Sequence, residues 1–124
     1  MEDHRSSGIL LAVSSLPGPY GIGSLGGPAR RFVDFLAEAG QHYWQILPLV
    51  PPGDSSSPYM SPSAFAGNPY LIDLDELAAE GLLTPQELDG ARWPDPDRVD
   101  YDHLAQTRIP LLRKAWERSQ TAHL

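Results

Sequence analysis

The strongest constraint on this 124-residue chain is a strand–helix–strand pattern packed into its first half. Ile9-Leu-Leu-Ala-Val13 is an unbroken apolar run, which suits a strand buried on both faces of a parallel sheet. After a loop, Pro28 is placed for the first turn of a helix. Ala29, Phe32, Val33, Leu36 and Ala39 then recur at three- and four-residue spacing and make one apolar helical face. Gly40 is a natural stop, and Tyr43-Trp-Gln-Ile-Leu47 follows as a second strand ended by Pro48. Strand, helix and strand within about forty residues form a βαβ unit, whose crossover is expected to be right-handed. Two strands alone make a poor parallel sheet, because both faces and both edges need cover. The expected class is therefore α/β, and the unit calls for more βα partners than the chain holds.

Residues 48–69 read as one long loop rich in Pro, Ser and Gly. Loops longer than about 12–15 residues are uncommon in compact domains and are often functional. This one follows the C-terminal end of a strand, where parallel α/β folds place their ligands. Helices are expected after it. Asp73-Leu-Asp-Glu76 fits a capping box for a short helix stopping at Gly81, and Thr84-Pro-Gln-Glu87 fits a second. Residues 89–97 read as a loop. Asp100 caps a last helix to about Ser119, in which Pro110 is expected to make a kink or mark a fresh start.

Charge removes several function classes. Nine Lys and Arg against sixteen Asp and Glu leave a net charge of −7. Such a surface is the reverse of what a general nucleic-acid binder or an anionic-lipid anchor needs. No apolar run approaches the ~18 residues of a membrane span. The polar start, Met1-Glu-Asp-His-Arg, lacks the order of a secretory signal, so a cytoplasmic location is expected. The absence of cysteine excludes disulfides and thiolate chemistry, and His4, His42, His103 and His123 share no metal-like spacing. No metal site is expected.

Three patterns remain as candidates. Gly21-Ile-Gly-Ser-Leu-Gly26 matches the letters of a dinucleotide fingerprint. Its context does not match: seven residues separate it from Val13, and the second strand ends in Leu47-Pro48 without a carboxylate. A turn-rich loop is the better reading. Asp73, Glu76, Glu87 and Asp100 are taken up by helix starts, which leaves Asp54 as the only carboxylate in the long loop. Spacing alone therefore assigns no carboxylate pair of the kind a retaining glycosidase needs. The loop itself, with Ser55-Ser-Ser-Pro-Tyr59 and Ser61-Pro-Ser-Ala-Phe-Ala-Gly-Asn-Pro-Tyr70, combines hydroxyls, an amide and aromatic rings. Flat rings with polar tips suit the C–H faces and hydroxyl rims of sugars. Tyr59 and Phe65 could equally pin the loop to the body, and composition leaves both readings open.

Four of these strings together resemble the amylomaltases, the 4-α-glucanotransferases of glycoside hydrolase family 77. They are Ser15-Leu-Pro-Gly-Pro-Tyr-Gly-Ile-Gly23, Tyr43-Trp-Gln-Ile-Leu-Pro-Leu49, Ser57-Pro-Tyr59 and Ser63-Ala-Phe-Ala-Gly-Asn-Pro-Tyr-Leu-Ile72. The resemblance implies a (β/α)₈ barrel that transfers α-1,4-glucan segments with retention and without a cofactor. It implies an Asp nucleophile, a Glu acid/base and a further Asp, all beyond the stretch matched here, so no catalytic residue is expected in this chain. It assigns substrate binding to Tyr59 and Ser57 and loop shaping to Pro58, Gly67, Asn68 and Pro69. Residues 1–124 would then be the N-terminal part of a single barrel domain, with 48–69 as its substrate-cleft loop. The implied partners are α-1,4-glucans (maltooligosaccharides, or fragments of starch or glycogen) and the remainder of the barrel. Ser56, where many relatives carry Asp, and Met60, often polar, depart from the family pattern and bear on subsite detail. A non-catalytic glucan-binding module and complementation by a separate chain are the alternatives.

A barrel takes about 250 residues, and two strands bury only part of what such a core would cover. Little then offsets an ordering entropy of about 1–2 kcal/mol per residue. Residues 1–124 made alone are expected to melt broadly; a sharp, cooperative thermal transition of the monomer would contradict this.

Overall fold

The computed structural model describes residues 4–54, 56–93 and 97–122. Strand β1 (Gly8–Leu10) lies parallel to β2 (Tyr43–Gln45), with Ile9 beside Trp44, and helix α1 (Gly27–Glu38) connects them. The expected βαβ unit is present. Its strands are shorter than the apolar runs. One more rung follows β1, from Leu11 N–H to the Gln45 carbonyl at 3.0 Å. The chain then tightens into a 3₁₀ turn, Val13–Ser15. Here the backbone pairs with its own loop: Gly23 N–H reaches the Ser14 carbonyl at 3.0 Å and Leu16 N–H the Val13 carbonyl at 3.1 Å. Val13 is thus a core residue of a turn rather than of a strand.

The expectation of a strand buried on both faces is not met. Ile9, Leu10 and Tyr43 are exposed, Leu10 at 59% and Tyr43 at 65%. A two-stranded sheet has one helix to cover it. Trp44 makes that contact, edge-on to Phe32 at 4.9 Å between ring centres, with its indole N–H on the Leu11 carbonyl at 2.9 Å. Of the anticipated helical face, Leu36 is buried and Phe32 half-buried, while Val33 stays exposed.

The later helices are α2 (Leu74–Ala79), α3 (Pro85–Ala91) and α4 (Tyr101–Ala122). Helices α1 and α2 both end in the left-handed glycine cap, at Gly40 (φ 74°) and Gly81 (φ 79°). The next residues, Gln41 and Leu82, reach back to the carbonyls of Leu36 and Leu77 at 2.9 Å each. Thr84 and Glu87 form a complete capping box. At α2 the box is half made: Asp73 accepts from Glu76 N–H at 3.1 Å, while the Glu76 carboxylate turns to Arg30 on α1.

Two boundaries differ from expectation. Asp89 and Gly90 are helical, because Leu88 and Ala91 pack on the core and outweigh glycine's poor propensity. Helix α4 runs on through Pro110 with no fresh start. Leu104 before it sits in one core cluster (with Val13, Leu16, Ile22 and Leu71), and Ala115 after it in the other (with Tyr20, Leu74, Leu82 and Leu83). Packing at both ends holds the helix continuous across the missing backbone donor. Among the described residues, no helix is long and apolar enough to cross a membrane.

Glu87 ties α3 to α4. Its carboxylate accepts from Arg118 at 2.6 Å and meets Lys114 at 3.2 Å. These partners, Arg118 first and the Thr84 backbone next, hold its pKa down at about 2 from an ordinary 4.5. A depressed acid stabilises the fold fully above its unfolded pKa and loses that contribution as pH falls through the folded value. The melting temperature should therefore drop between pH 4.5 and 2. Glu87→Gln should lower it at neutral pH and flatten that acid slope, both readable by circular dichroism.

Candidate functional site

The long loop is closed at its base and folded tightly at its tip. Asn68 N–H donates to the Leu49 carbonyl at 2.8 Å, joining the two ends. The Asn68 side-chain oxygen accepts from Tyr70 N–H at 3.0 Å and caps the 3₁₀ turn Pro69–Leu71, whose first position Pro69 fills. Leu71 then enters the core, and its carbonyl takes Leu25 N–H at 2.9 Å. At the tip, Ser56 N–H bonds the Gly53 carbonyl at 3.0 Å and Met60 N–H bonds the Ser57 carbonyl at 3.2 Å. Gly53 lies so close to the Met60 carbonyl that a Cβ there would overlap it. Ser56 takes a left-handed backbone with φ 59°. The Ser57 hydroxyl oxygen accepts from Tyr59 N–H at 3.2 Å.

This folding removes one of the two readings that composition leaves open. Tyr59 is 71% exposed and Phe65 fully so, so neither ring pins the loop to the body. The loop is held by its backbone and by the side chains of Ser57, Ser61, Ser63 and Asn68, and the Tyr59 and Phe65 rings are exposed to solvent. Gly67 needs no special conformation: a Cβ there would meet nothing within 4 Å. It borders an apolar groove of about 590 Å³ with Leu25, Ile72 and Leu77. Beneath the tip, a smaller cavity of about 90 Å³ lies between Val13, Ser14, Leu49, Pro58, Asn68 and Tyr101. Burial pushes the Tyr101 phenol pKa up, and the neighbouring Ser14 side chain opposes the shift.

The carboxylates near this end of the sheet are engaged. Asp73 is buried and accepts from the Ser24 hydroxyl at 2.7 Å as well as from α2. Asp75 accepts from the Tyr20 phenol at 2.5 Å, and burial with that bond raises Tyr20 to about 12. Asp54 stands exposed in the loop. Among the described residues, no three His, Asp or Glu side chains gather as a metal would require.

The glycine-rich loop owes its glycines to packing. Gly21 (φ 84°) lies against the Trp93 ring, a Cβ at Gly23 would overlap the Val13 carbonyl, and one at Gly26 would overlap the Asp73 carboxylate. The space a phosphate would take in a nucleotide site is filled here by the chain itself. Tyr20, within this loop, is the meeting point of four elements. Its phenol reaches α2, its ring lies 5.8 Å from the Arg92 guanidinium after α3, and it bridges Trp93. Its carbonyl takes a 2.7 Å bond from Arg108 on α4. Arg108 is only 3% exposed. Sequence reasoning passed it over, although a signal existed: positions 104, 108, 111 and 115 share one helical face, and its other members are apolar.

The family model described as 4-alpha-glucanotransferase matches residues 11–124. A 4-alpha-glucanotransferase from Thermus thermophilus is 53% identical over 116 residues, covering 94% of this chain and 22% of that protein. One from Streptococcus pneumoniae is 52% identical over 115 residues, covering 92% of this chain and 23% of its own length. Among solved structures, an amylomaltase from Streptococcus agalactiae in complex with acarbose superposes with a TM-score of 0.90 at 44% identity. That match covers 95% of this chain and 24% of the other. The chain thus spans about a quarter of the length of the relatives it matches.

Arg108→Met keeps the aliphatic volume and removes the donor to Tyr20. A buried carbonyl left unpaired costs about 1–3 kcal/mol, so urea unfolding should show a loss of that size. Gly23→Ala should be at least as damaging, because the Val13 carbonyl cannot move without opening the 3₁₀ turn. An unchanged midpoint in either variant would refute the packing described.

Proposed function

Because the chain belongs to the 4-alpha-glucanotransferase family, we propose that it is the N-terminal part of an enzyme that moves α-1,4-glucan segments between maltodextrins. The observation that carries this reading is the superposition on the acarbose-bound amylomaltase across 95% of the chain. The arrangement is chemically apt. Both strands deliver their C-terminal ends to the side where the long loop lies, as in a (β/α)₈ barrel whose catalytic face is at that end. Residues 1–124 supply the first two strands of that single domain, and residues 48–69 form one wall of its glucan cleft.

The reaction is a double displacement. A carboxylate attacks the anomeric carbon, a carboxylic acid protonates the departing oxygen, and the 4-hydroxyl of an acceptor then replaces the enzyme carboxylate. Both groups come from the remainder of the barrel. The share of this chain is binding: the exposed Tyr59 ring offers a flat apolar face to the donor sugar, and Ser57 a hydroxyl to its rim. Pro58, Gly67, Asn68 and Pro69 shape the loop that carries them. The proposed substrates are maltooligosaccharides and fragments of starch or glycogen, handled in the cytoplasm without a cofactor and without nucleic-acid or membrane partners.

A second reading has its own support. Asp73, Asp75, Glu76 and Glu87 are all committed to hydrogen bonds or ion pairs, while the loop's rings are free. That combination suits glucan binding without turnover by residues 1–124 alone, or activity only when a separate chain completes the barrel. Maltotriose separates the cases. The protein translated to its own stop codon should yield glucose and longer maltodextrins, seen by chromatography. Residues 1–124 alone should yield none, and turnover by them would refute the division of roles. In the active protein, Tyr59→Ala should lower kcat/KM about 10- to 100-fold, the equivalent of about 1.5–3 kcal/mol of lost ring burial.

A further inference from the structure

The ring of Phe65 is fully exposed, and the loop around it is built without its help. The Ser61 hydroxyl donates to the Ser63 carbonyl at 2.8 Å and accepts from Ser63 N–H at 3.2 Å. The Ser63 hydroxyl oxygen in turn accepts from Phe65 N–H at 3.3 Å and from Ala66 N–H at 3.2 Å. Two serines therefore fix the backbone that carries the ring, and the Asn68 cap fixes the segment just beyond it. Local bonds of this kind, from side chain to backbone, hold a turn without burying anything. The neighbours of Phe65 are small. Ala64, Ala66 and Gly67 are exposed with it, so nothing bulky next to it in the sequence flanks the ring. Residues 55–72 also carry no charged side chain, in a chain with nine basic and sixteen acidic residues. A flat ring on a fixed, uncharged, low-sided turn suits face-on contact with a neutral ligand.

We propose that Phe65 is a second aromatic platform for α-1,4-glucan, meeting a sugar farther along the bound chain than the one Tyr59 meets, and so selecting for longer glucans. This rests on the reading of Ser57 and Tyr59 given under the proposed function. The path of the loop is the reason for two separate contacts. Tyr59 lies in a turn closed by Met60 N–H on the Ser57 carbonyl. Phe65 lies in a different turn, closed on the Ser63 hydroxyl. Two turns with their own closures set the rings at two stations along one wall. A long glucan reaches both stations, and a short one held at Tyr59 does not reach the outer one. Contact there is remote from the bond that breaks. It is therefore equal in the ground and transition states, and its loss raises KM while sparing kcat.

The test is disproportionation by the protein translated to its own stop codon, with maltotriose and with maltoheptaose. Wild type, Phe65→Ala and Phe65→Trp are compared, with melting temperatures measured alongside. Phe65→Ala should raise KM for maltoheptaose about 5- to 10-fold with kcat within about twofold, and leave the maltotriose KM within about twofold. Phe65→Trp keeps a flat ring and should stay within about twofold of wild type on both substrates. Melting temperatures should stay near that of wild type. An unchanged maltoheptaose KM in Phe65→Ala would overturn the proposal. So would an equal rise in KM for both substrates, or a clear fall in melting temperature, which is the mark of a ring packed by the rest of the protein. If wild type itself transfers no glucan, the proposed function fails and this inference falls with it, an outcome distinct from an active enzyme indifferent to Phe65.

Discussion

The bond from Arg108 to the Tyr20 carbonyl is the interaction on which the rest of the arrangement depends. It joins residues 88 positions apart, inside the protein, and places a guanidinium where a leucine would be expected. Tyr20 carries the remaining ties outward, to Asp75 on α2 and to Arg92 and Trp93 after α3. Remove this centre and the glycine-rich loop has no fixed path. The 3₁₀ turn at Val13–Ser15 would then lose the partner, Gly23, that ends the first strand where it does. A buried cation is an expensive way to hold a loop. It is justified here because an Arg can reach a backbone carbonyl across a gap that no aliphatic side chain could both fill and bond.

The same centre explains why the carboxylates of this chain serve structure. Asp73 sits under Gly26 and Ser24, Asp75 takes the Tyr20 phenol, and Glu87 clamps two cations from α4. Each is bonded to a donor that would have to be released before it could attack or protonate anything. The loop above the sheet is held differently, by its backbone, three serine hydroxyls and Asn68, with the rings of Tyr59 and Phe65 left uncovered. Ile9 and Leu10 of β1 and Tyr43 of β2 are likewise exposed on a sheet of two strands.

Much of this was legible in the residues. The βαβ order, the glycine stops at 40 and 81, the Thr84 capping box and the Asp100 cap all follow from local chemistry acting over a few residues, and each is found. The family resemblance was equally local, carried by short strings around the glycine-rich loop, the second strand and the long loop. What misled was also local. The apolar run at 9–13 reads as strand throughout, yet its last residue belongs to a turn, where its carbonyl takes Leu16 N–H and the next carbonyl, that of Ser14, takes Gly23 N–H. Gly90 and Pro110 read as breaks, yet core contacts from Ala91, Leu104 and Ala115 carry the helices through them.

The sequence by itself therefore determined the kind and order of the elements, where most of them stop, and the family to which they belong, because caps, periodicity and short motifs act between near neighbours. Only the tertiary structure decided that the letters G-x-G-x-x-G answer to Trp93, Val13 and Asp73, that Arg108 is an internal fastener, and that Tyr101 lies beneath the loop's tip. Those outcomes depend on which distant atoms fill a given space, and no spacing within a single segment encodes that.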